Sequence, residues 1–384
     1  MRSRPAILLA LVLGGALLGL ACTPTRQALP HQAQLDSAQQ LARAGQAAEA
    51  ERVLQEVVQA DPNSSEAWEQ LGRLYMHAKR YRDAIEPLRR VTKLKPETPG
   101  VYGRLAECLQ RSGDPVHALE QAREGLKRDP NDVRALVAAA KVVIAQGSER
   151  EGLEYERRLV QINRNNPDFL IMYAKSLVQY RRYDEAAPVL ANLLRLAPNS
   201  PDGYNLRGQI TFYQNPTPEG LAQAEADFQK TLQLSPGAYP PLLFLGRIAN
   251  RRNQPEKAIA YLQQARQGAP SRGEADFVLA EAYELMGQKA KAAEARRRFQ
   301  AWREADDLEK ALVKRCSLDS DNFADHLQLG QIKLRKRELI AADYYLRRAL
   351  ELRPQDAEAR AAVRQLESLT NAARASASSP TGGP

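Results

Sequence analysis

The sequence predicts an all-α chain: a superhelical solenoid of about nine helix hairpins, closed by a C-terminal capping helix. Three observations predict it. A pattern of large, small and helix-stopping residues repeats every 34 residues, with unit starts at His31, Ser65, Pro99, Val133, Pro167 and Pro201. A small residue holds the twentieth place of the first five units, at Ala50, Ala84, Ala118, Gly152 and Ala186. Proline closes most units, at Pro62, Pro96, Pro130 and Pro198, with Arg164 in that place in the fourth. These types answer a packing problem. Two antiparallel helices cross closely only over a small side chain, which accounts for Gly72, Ala106, Ala140, Ala174 and Gly208 on the first helices. Proline has no N–H, so it stops the second helix before the next unit begins.

The best-preserved unit is Ser65 to Pro96, where Trp68, Leu71, Gly72, Tyr75, Ala84, Leu88 and Pro96 fall in register. This pattern resembles the tetratricopeptide repeat, a 34-residue helix–turn–helix unit. The resemblance covers about residues 31 to 369. It implies stacked antiparallel helix pairs, with the first helices lining a concave face, and it argues for binding before catalysis.

In chain order, the N-terminus reads MRSRPAILLALVLGGALLGLAC. Two arginines precede an apolar run from Ala6 to Ala21, the layout of a secretory signal. The run has 16 residues, short of the ~20 that span a bilayer. Gly19-Leu20-Ala21-Cys22 resembles the bacterial lipoprotein box. That resemblance implies a signal peptide over residues 1–21 and a lipidated Cys22. Gly19 departs from the usual leucine. Thr23 stands where an aspartate would retain the protein at the inner membrane, so the expected location is the periplasmic face of the outer membrane of a diderm bacterium. A cleaved signal with an unmodified cysteine, or a retained anchor, are the competing readings. Residues 22–30, with two prolines, read as a tether.

Units one to six fill residues 31–238. The sixth carries four extra residues around Asn215 to Gly220, expected as a surface loop between its helices. Residues 239–322 hold units seven and eight. Lys289 to Cys316 has neither glycine nor proline, and its apolar stripe predicts a long helix, about 42 Å if unbroken or bent near Glu304. Residues 323–369 hold the ninth unit and the capping helix. Residues 370–384, mostly Ala, Ser, Gly and Pro, are expected to be disordered.

No chemistry-bearing constellation emerges. His31, His77, His117 and His326 lack partners at metal-ligand spacing. The stretch from Leu318 to Asn322 lacks the glycine and closing glutamate of a calcium loop. No phosphate-binding glycine loop or nucleophile elbow occurs. Cys108 and Cys316 lie some two hundred residues apart, so a disulfide is not expected in a solenoid whose units touch only neighbours. No catalytic residue, metal or cofactor is expected.

The resemblance places the second, fifth, ninth and twelfth positions of the first helices in the groove. Over the middle units these are mainly apolar, with interspersed cations. The candidate partner-binding residues are Val137, Lys141, Ile144, Ile171, Lys175, Val178, Phe212, Leu243, Arg247 and Phe277. Trp68, Gly72, Tyr75, Ala84 and Pro96 are read as structural. The lysine clamp of chaperone-binding tetratricopeptide repeats is absent at the fifth positions. The expected ligand is an extended or helical protein segment with apolar side chains and some negative charge. The alternative is that these apolar residues pack against the solenoid itself. The formal charge is +9, and removing Arg2 and Arg4 with the signal leaves +7, which favours anionic partners; export argues against nucleic acid. The leading expectation is a non-enzymatic scaffold of an envelope assembly, secretion or export machine. A polysaccharide- or peptidoglycan-associated factor, or a regulatory adaptor of an envelope enzyme, are the alternatives.

Overall fold

The computed structural model describes residues 31–318 and 321–378. The signal segment 1–21, the candidate lipidation site Cys22 and the tether to residue 30 lie outside the described residues. So do Asp319, Ser320 and residues 379–384.

Among the described residues there are nineteen helices and no strand. They form nine antiparallel pairs and one terminal helix. The first helices of the pairs are α1 (Gln32–Arg43), α3 (Ser65–His77), α5 (Val101–Arg111), α7 (Val133–Ala145), α9 (Pro167–Gln179), α11 (Pro201–Gln214), α13 (Tyr239–Arg251), α15 (Glu274–Leu285) and α17 (Phe323–Arg335). The second helices are α2 (Ala47–Ala60), α4 (Tyr81–Leu94), α6 (Pro115–Arg128), α8 (Glu149–Ile162), α10 (Tyr183–Leu196), α12 (Pro218–Leu234), α14 (Pro255–Gly268), α16 (Lys289–Leu318) and α18 (Leu339–Leu352); α19 (Ala357–Ser378) follows. The chain is an all-α superhelical solenoid.

Each local choice has a visible cause. Gly72 sits over Leu88, and Gly208 over Phe228, so closely that an added Cβ would come within 2.9 Å of either side chain. Tyr75 donates to Glu51 of the preceding unit at 2.9 Å. Trp68 donates its indole N–H to the Pro62 carbonyl at 2.9 Å, and Tyr204 reaches Pro198 in the same way at 3.0 Å. In the second and sixth units an aromatic on the first helix thus ties down the turn before it. Asp61 and Asp129 fold back on the N–H groups of Asn63 and Asn131. The helices themselves are capped by Ser64, Asp132, Asn166 and Ser200.

The turn inside each pair needs one left-handed residue. It falls at Gly45, Lys79, Gly113, Gly147 and Arg181, 34 residues apart, and again at Asn253, Gly287 and Arg337. The sixth pair lacks it. Its four extra residues do not form a loop, as the sequence suggests. They lengthen the helices instead: α11 has 14 residues and α12 has 17, with only Asn215 to Thr217 between them. Thr217 caps α12 and Pro218 takes the first helical position, both favourable starts.

Helix α16 is continuous over 30 residues, about 45 Å, with no bend into an extra hairpin. Arg298 holds it to Asp276 on α15 at 2.8 Å, and Arg315 grips Asp325 on α17 through two 2.8 Å contacts. Burial pushes the Glu309 carboxyl up, but hydrogen bonds from Lys333 and Lys336 outweigh it and hold the group below its ordinary value. The terminal helix also differs from expectation. The sequence suggests disorder from residue 370, yet α19 runs to Ser378. Residues 371–378 contain four alanines and neither glycine nor proline, so helix propensity carries the chain on.

The long α16 has a consequence for the whole molecule. It delivers the ninth pair to the second and third. Arg82 on α4 forms an ion pair with Asp343 on α18. Tyr344 lies beside Asp114, and its hydroxyl is pushed up by burial and then by the charge of that carboxylate. Gly113 lies under Ile340, Ala341 and Tyr344. The superhelix therefore closes on itself, and the rule that units touch only neighbours fails here.

Candidate functional site

The predicted groove residues separate into three groups in the structure. Val178 and Leu243 are 7% exposed and Phe212 is 2% exposed. The next first helix covers them, so they hold the array together and present no face to a partner. Ile171 is half-buried against the core of the fourth to sixth units. Ile144 leaves the strip altogether. It lines a cleft of about 1330 Å3 between α6, the end of α7 and the second half of α16. Val137 and Lys141 share a smaller cavity of about 330 Å3 with Glu107 and Arg134. Lys175 is exposed but pairs with Asp202 of the following unit at 2.8 Å.

Arg247 joins a cluster around Tyr213, a residue outside the predicted set. Tyr213 is 43% exposed although it is a large ring. Tyr183 stacks on it, with centroids 5.9 Å apart and planes within 8°. Phe212 and Phe244 meet it edge-on at 5.2 and 5.8 Å. Arg247 donates to its hydroxyl at 3.1 Å and lies 5.2 Å from the Phe244 ring. Arg251 sits 3.9 Å over Phe212. The result is a ring ladder crossing the fifth, sixth and seventh units, edged by two guanidiniums. Beyond Arg251, Glu281, Glu284 and Leu285 continue the surface around a cavity of about 460 Å3.

The ladder is chemically plain. Tyr213 offers the exposed ring face, Phe212 and Phe244 back it from below, and Arg247 and Arg251 offer charged donors held in place by cation–π contact. The arrangement fixes an aromatic platform with a cationic rim. Phe277 stands apart. It is 45% exposed and packs on Phe299 of α16 at 5.2 Å, which in turn stacks on Trp302.

Sequence reasoning missed Tyr183 and Arg251. Tyr183 begins a second helix, outside the positions assigned to the concave face. Arg251 is the thirteenth residue of its unit, one place past the last groove position. The signal that could have found both is the spacing of 30 residues from Tyr183 to Tyr213 and 38 from Tyr213 to Arg251, each near one repeat. Among the described residues, no group of three or more His, Cys, Asp and Glu is placed to hold a metal ion. Cys108 and Cys316 are buried free thiols; burial, with help from Glu107, pushes the Cys108 thiol up to about 12.

Comparison with known proteins places this architecture. The chain is 32% identical over 114 residues to the cytochrome c-type biogenesis protein CycH of Pseudomonas aeruginosa, covering 28% of each. It is 26% identical over 116 residues to the formate-dependent nitrite reductase complex subunit NrfG of Escherichia coli O157:H7, covering 29% of this chain and 58% of that protein. The chain thus spans well under two thirds of either relative. Among solved structures, the C-terminal part of a repeat-containing protein from Cytophaga hutchinsonii aligns with a TM-score of 0.49 and 17% identity, over 64% of this chain and 99% of that one. A tetratricopeptide-repeat family model matches residues 41–108, 78–141 and 143–210, and a second one matches residues 243–308. Those stretches make up more than half of the sequence, and the chain belongs to the tetratricopeptide-repeat family, whose domains bind protein partners.

Proposed function

We propose that this protein is a non-enzymatic scaffold that binds a protein segment on the ring ladder of its fifth to seventh units. The observation that carries the reading is Tyr213: a large ring, exposed, held rigid by Tyr183, Phe212, Phe244 and Arg247. Rigid aromatics lose little conformational entropy on binding, and flanking arginines favour carboxylates. The ligand is a segment with aromatic or aliphatic anchors next to acidic residues. Phe277 with Phe299 offers a second anchor point for a longer segment.

The protein is exported and held at the envelope through a lipid on Cys22, where it serves an assembly or export machine. The signal-like run and the cysteine after Ala21 support this. So do the names of two relatives, one in cytochrome c-type biogenesis and one in a reductase complex. Labelling cells with a fatty acid analogue tests the anchor: Cys22→Ala removes the label if Cys22 carries the lipid, and retains it otherwise.

A peptide-display selection against the purified chain tests the ladder. Enriched sequences combine apolar anchors with Asp or Glu, and Tyr213→Ala with Arg247→Ala loses them while the circular dichroism spectrum is kept. Enrichment of the same peptides by the double variant refutes the site. Salt-dependent pelleting with purified cell-wall polymer, in place of peptide enrichment, would favour a polysaccharide- or peptidoglycan-associated role.

A further inference from the structure

Away from the ladder, a cavity of about 450 Å3 lies where α18 meets α4 and the turn between α5 and α6. Four arginines from opposite ends of the chain line it: Arg82 and Arg89 on α4, Arg347 and Arg348 on α18. Asp114 and Glu351 are the acids of its lining. Within the lining itself, two carboxylates face four guanidiniums. Asp343 is shared, since it accepts from Arg347 Nε at 2.7 Å and also pairs with Arg82. Asp343 thus serves two guanidiniums, of which Arg347 also meets Glu367 at 3.5 Å. Burial, and then the charge of Arg347, push the Arg82 guanidinium below its ordinary value. Arg89 meets Glu86 of its own helix only at 4.0 Å. Arg348 is engaged by Asp321 and Glu351 at 2.6 and 3.1 Å. His117 also lines the space, and its 2.7 Å contact with Asp114 pushes the imidazole up, toward its charged form.

We propose that this cavity binds a phosphate-bearing ligand, whose oxyanion bridges Arg82 on α4 and Arg347 on α18. The guanidinium fork matches two phosphate oxygens at once, which a lysine cannot do. The volume exceeds what a bare phosphate needs, so the ligand carries a small organic body: a phosphomonoester or a phospholipid head group. The site is complete only when the ninth unit rests on the second and third. Ligand binding and closure of the superhelix are therefore linked, and each favours the other.

The test is calorimetric titration of the purified chain at fixed ionic strength set with chloride. The probes are inorganic phosphate, glycerol 3-phosphate and vesicles containing phosphatidylglycerol. The variants are Arg82→Gln with Arg347→Gln, and Arg52→Gln on α2, outside the lining, as a charge control. Saturable binding is expected for at least one probe. It should weaken at least tenfold in the double variant and stay unchanged in the control. Bound probe should also raise the thermal midpoint of the wild type but not of the double variant. Binding of the soluble ester or inorganic phosphate assigns a free ligand, and binding of vesicles alone assigns a lipid. Absence of saturable binding by all three probes, or equal binding by the double variant, overturns the proposal. Should the double variant not fold, Arg347→Lys keeps the charge without the fork and must still lose binding.

Discussion

Two glycines that look alike in the sequence should respond differently to the same substitution. Gly113 and Gly147 hold equivalent left-handed turn positions, with φ of 87° and 82°. Around Gly147 nothing lies within 4 Å of an added Cβ. Gly147→Ala therefore carries only the left-handed penalty, about 1–2 kcal/mol, less the ~0.4–1 kcal/mol gained by restricting the unfolded chain. A net loss of about 1 kcal/mol follows from those two principles. At Gly113 the new methyl would meet Tyr344 Cβ at 3.2 Å, the Ile340 carbonyl at 3.3 Å and Ala341 Cα at 3.4 Å. Two of these atoms are backbone and cannot swing away. Overpacking adds about 1–3 kcal/mol, unless α18 lifts off and the coil opens. The assay is urea denaturation of both variants beside small-angle scattering. Gly113→Ala should lose more stability than Gly147→Ala or show a larger radius of gyration. Equal midpoints with unchanged scattering would refute the closed superhelix.

Three further outcomes follow from the same geometry. Lys79 and Arg181 hold left-handed turns at φ 57° and 60° without being glycine; Lys79→Gly and Arg181→Gly relieve about 1–2 kcal/mol of strain against the entropy cost of glycine, so each thermal midpoint should rise slightly, and a fall counts against the turn geometry. Glu156 is buried where the first, second and fifth units place leucine (Leu54, Leu88 and Leu190), takes one hydrogen bond from Ser176, and is raised by burial to about 7. Its folded value exceeds the ordinary 4.5, so its favourable contribution is full below about pH 4.5 and drains as pH climbs to about 7. Glu156→Leu should flatten that part of the stability–pH curve, and equal slopes in both proteins would sink the assignment. Ala84 is wholly buried at the helix crossing; Ala84→Leu should cost about 1–3 kcal/mol in a melting experiment, and an unchanged curve would contradict the packing described.

The helix pairs are legible because each obeys a local rule. A small residue at the crossing repeats with the period, and several first helices add a capping side chain at their start, as at Ser64, Asp132, Asn166 and Ser200. The binding surface is less legible for a physical reason. Position in the repeat says which way a side chain points, not whether the next unit covers it. Phe212 and Tyr213 are neighbours in sequence, yet one is buried and the other exposed. The first sits beneath Phe244 and Arg251, and the second projects past them. Lys175 shows the same limit from the other side, for its charge is already partnered by Asp202.

Closure of the coil is the least legible feature, and the reason is additive geometry. A solenoid's curvature comes from a small rotation at every junction, summed over the array. The 34-residue code specifies each junction well enough to stack neighbours, but errors of a few degrees accumulate over seven units. Here two departures from the code also set the sum: the lengthened α12 and the 30-residue α16. Both alter where the ninth unit arrives, and neither announces its destination. The residues that meet there look ordinary by themselves. Arg82 and Asp343 read as solvent-facing charges on separate helices, and Gly113 reads as one more turn glycine. Only their juxtaposition across more than two hundred residues makes a clasp. A clasp of that kind constrains the units between its halves, because moving α18 off α4 changes the sum of rotations through the fifth, sixth and seventh. Whatever occupies the ring ladder is bound on a surface whose curvature the clasp sets.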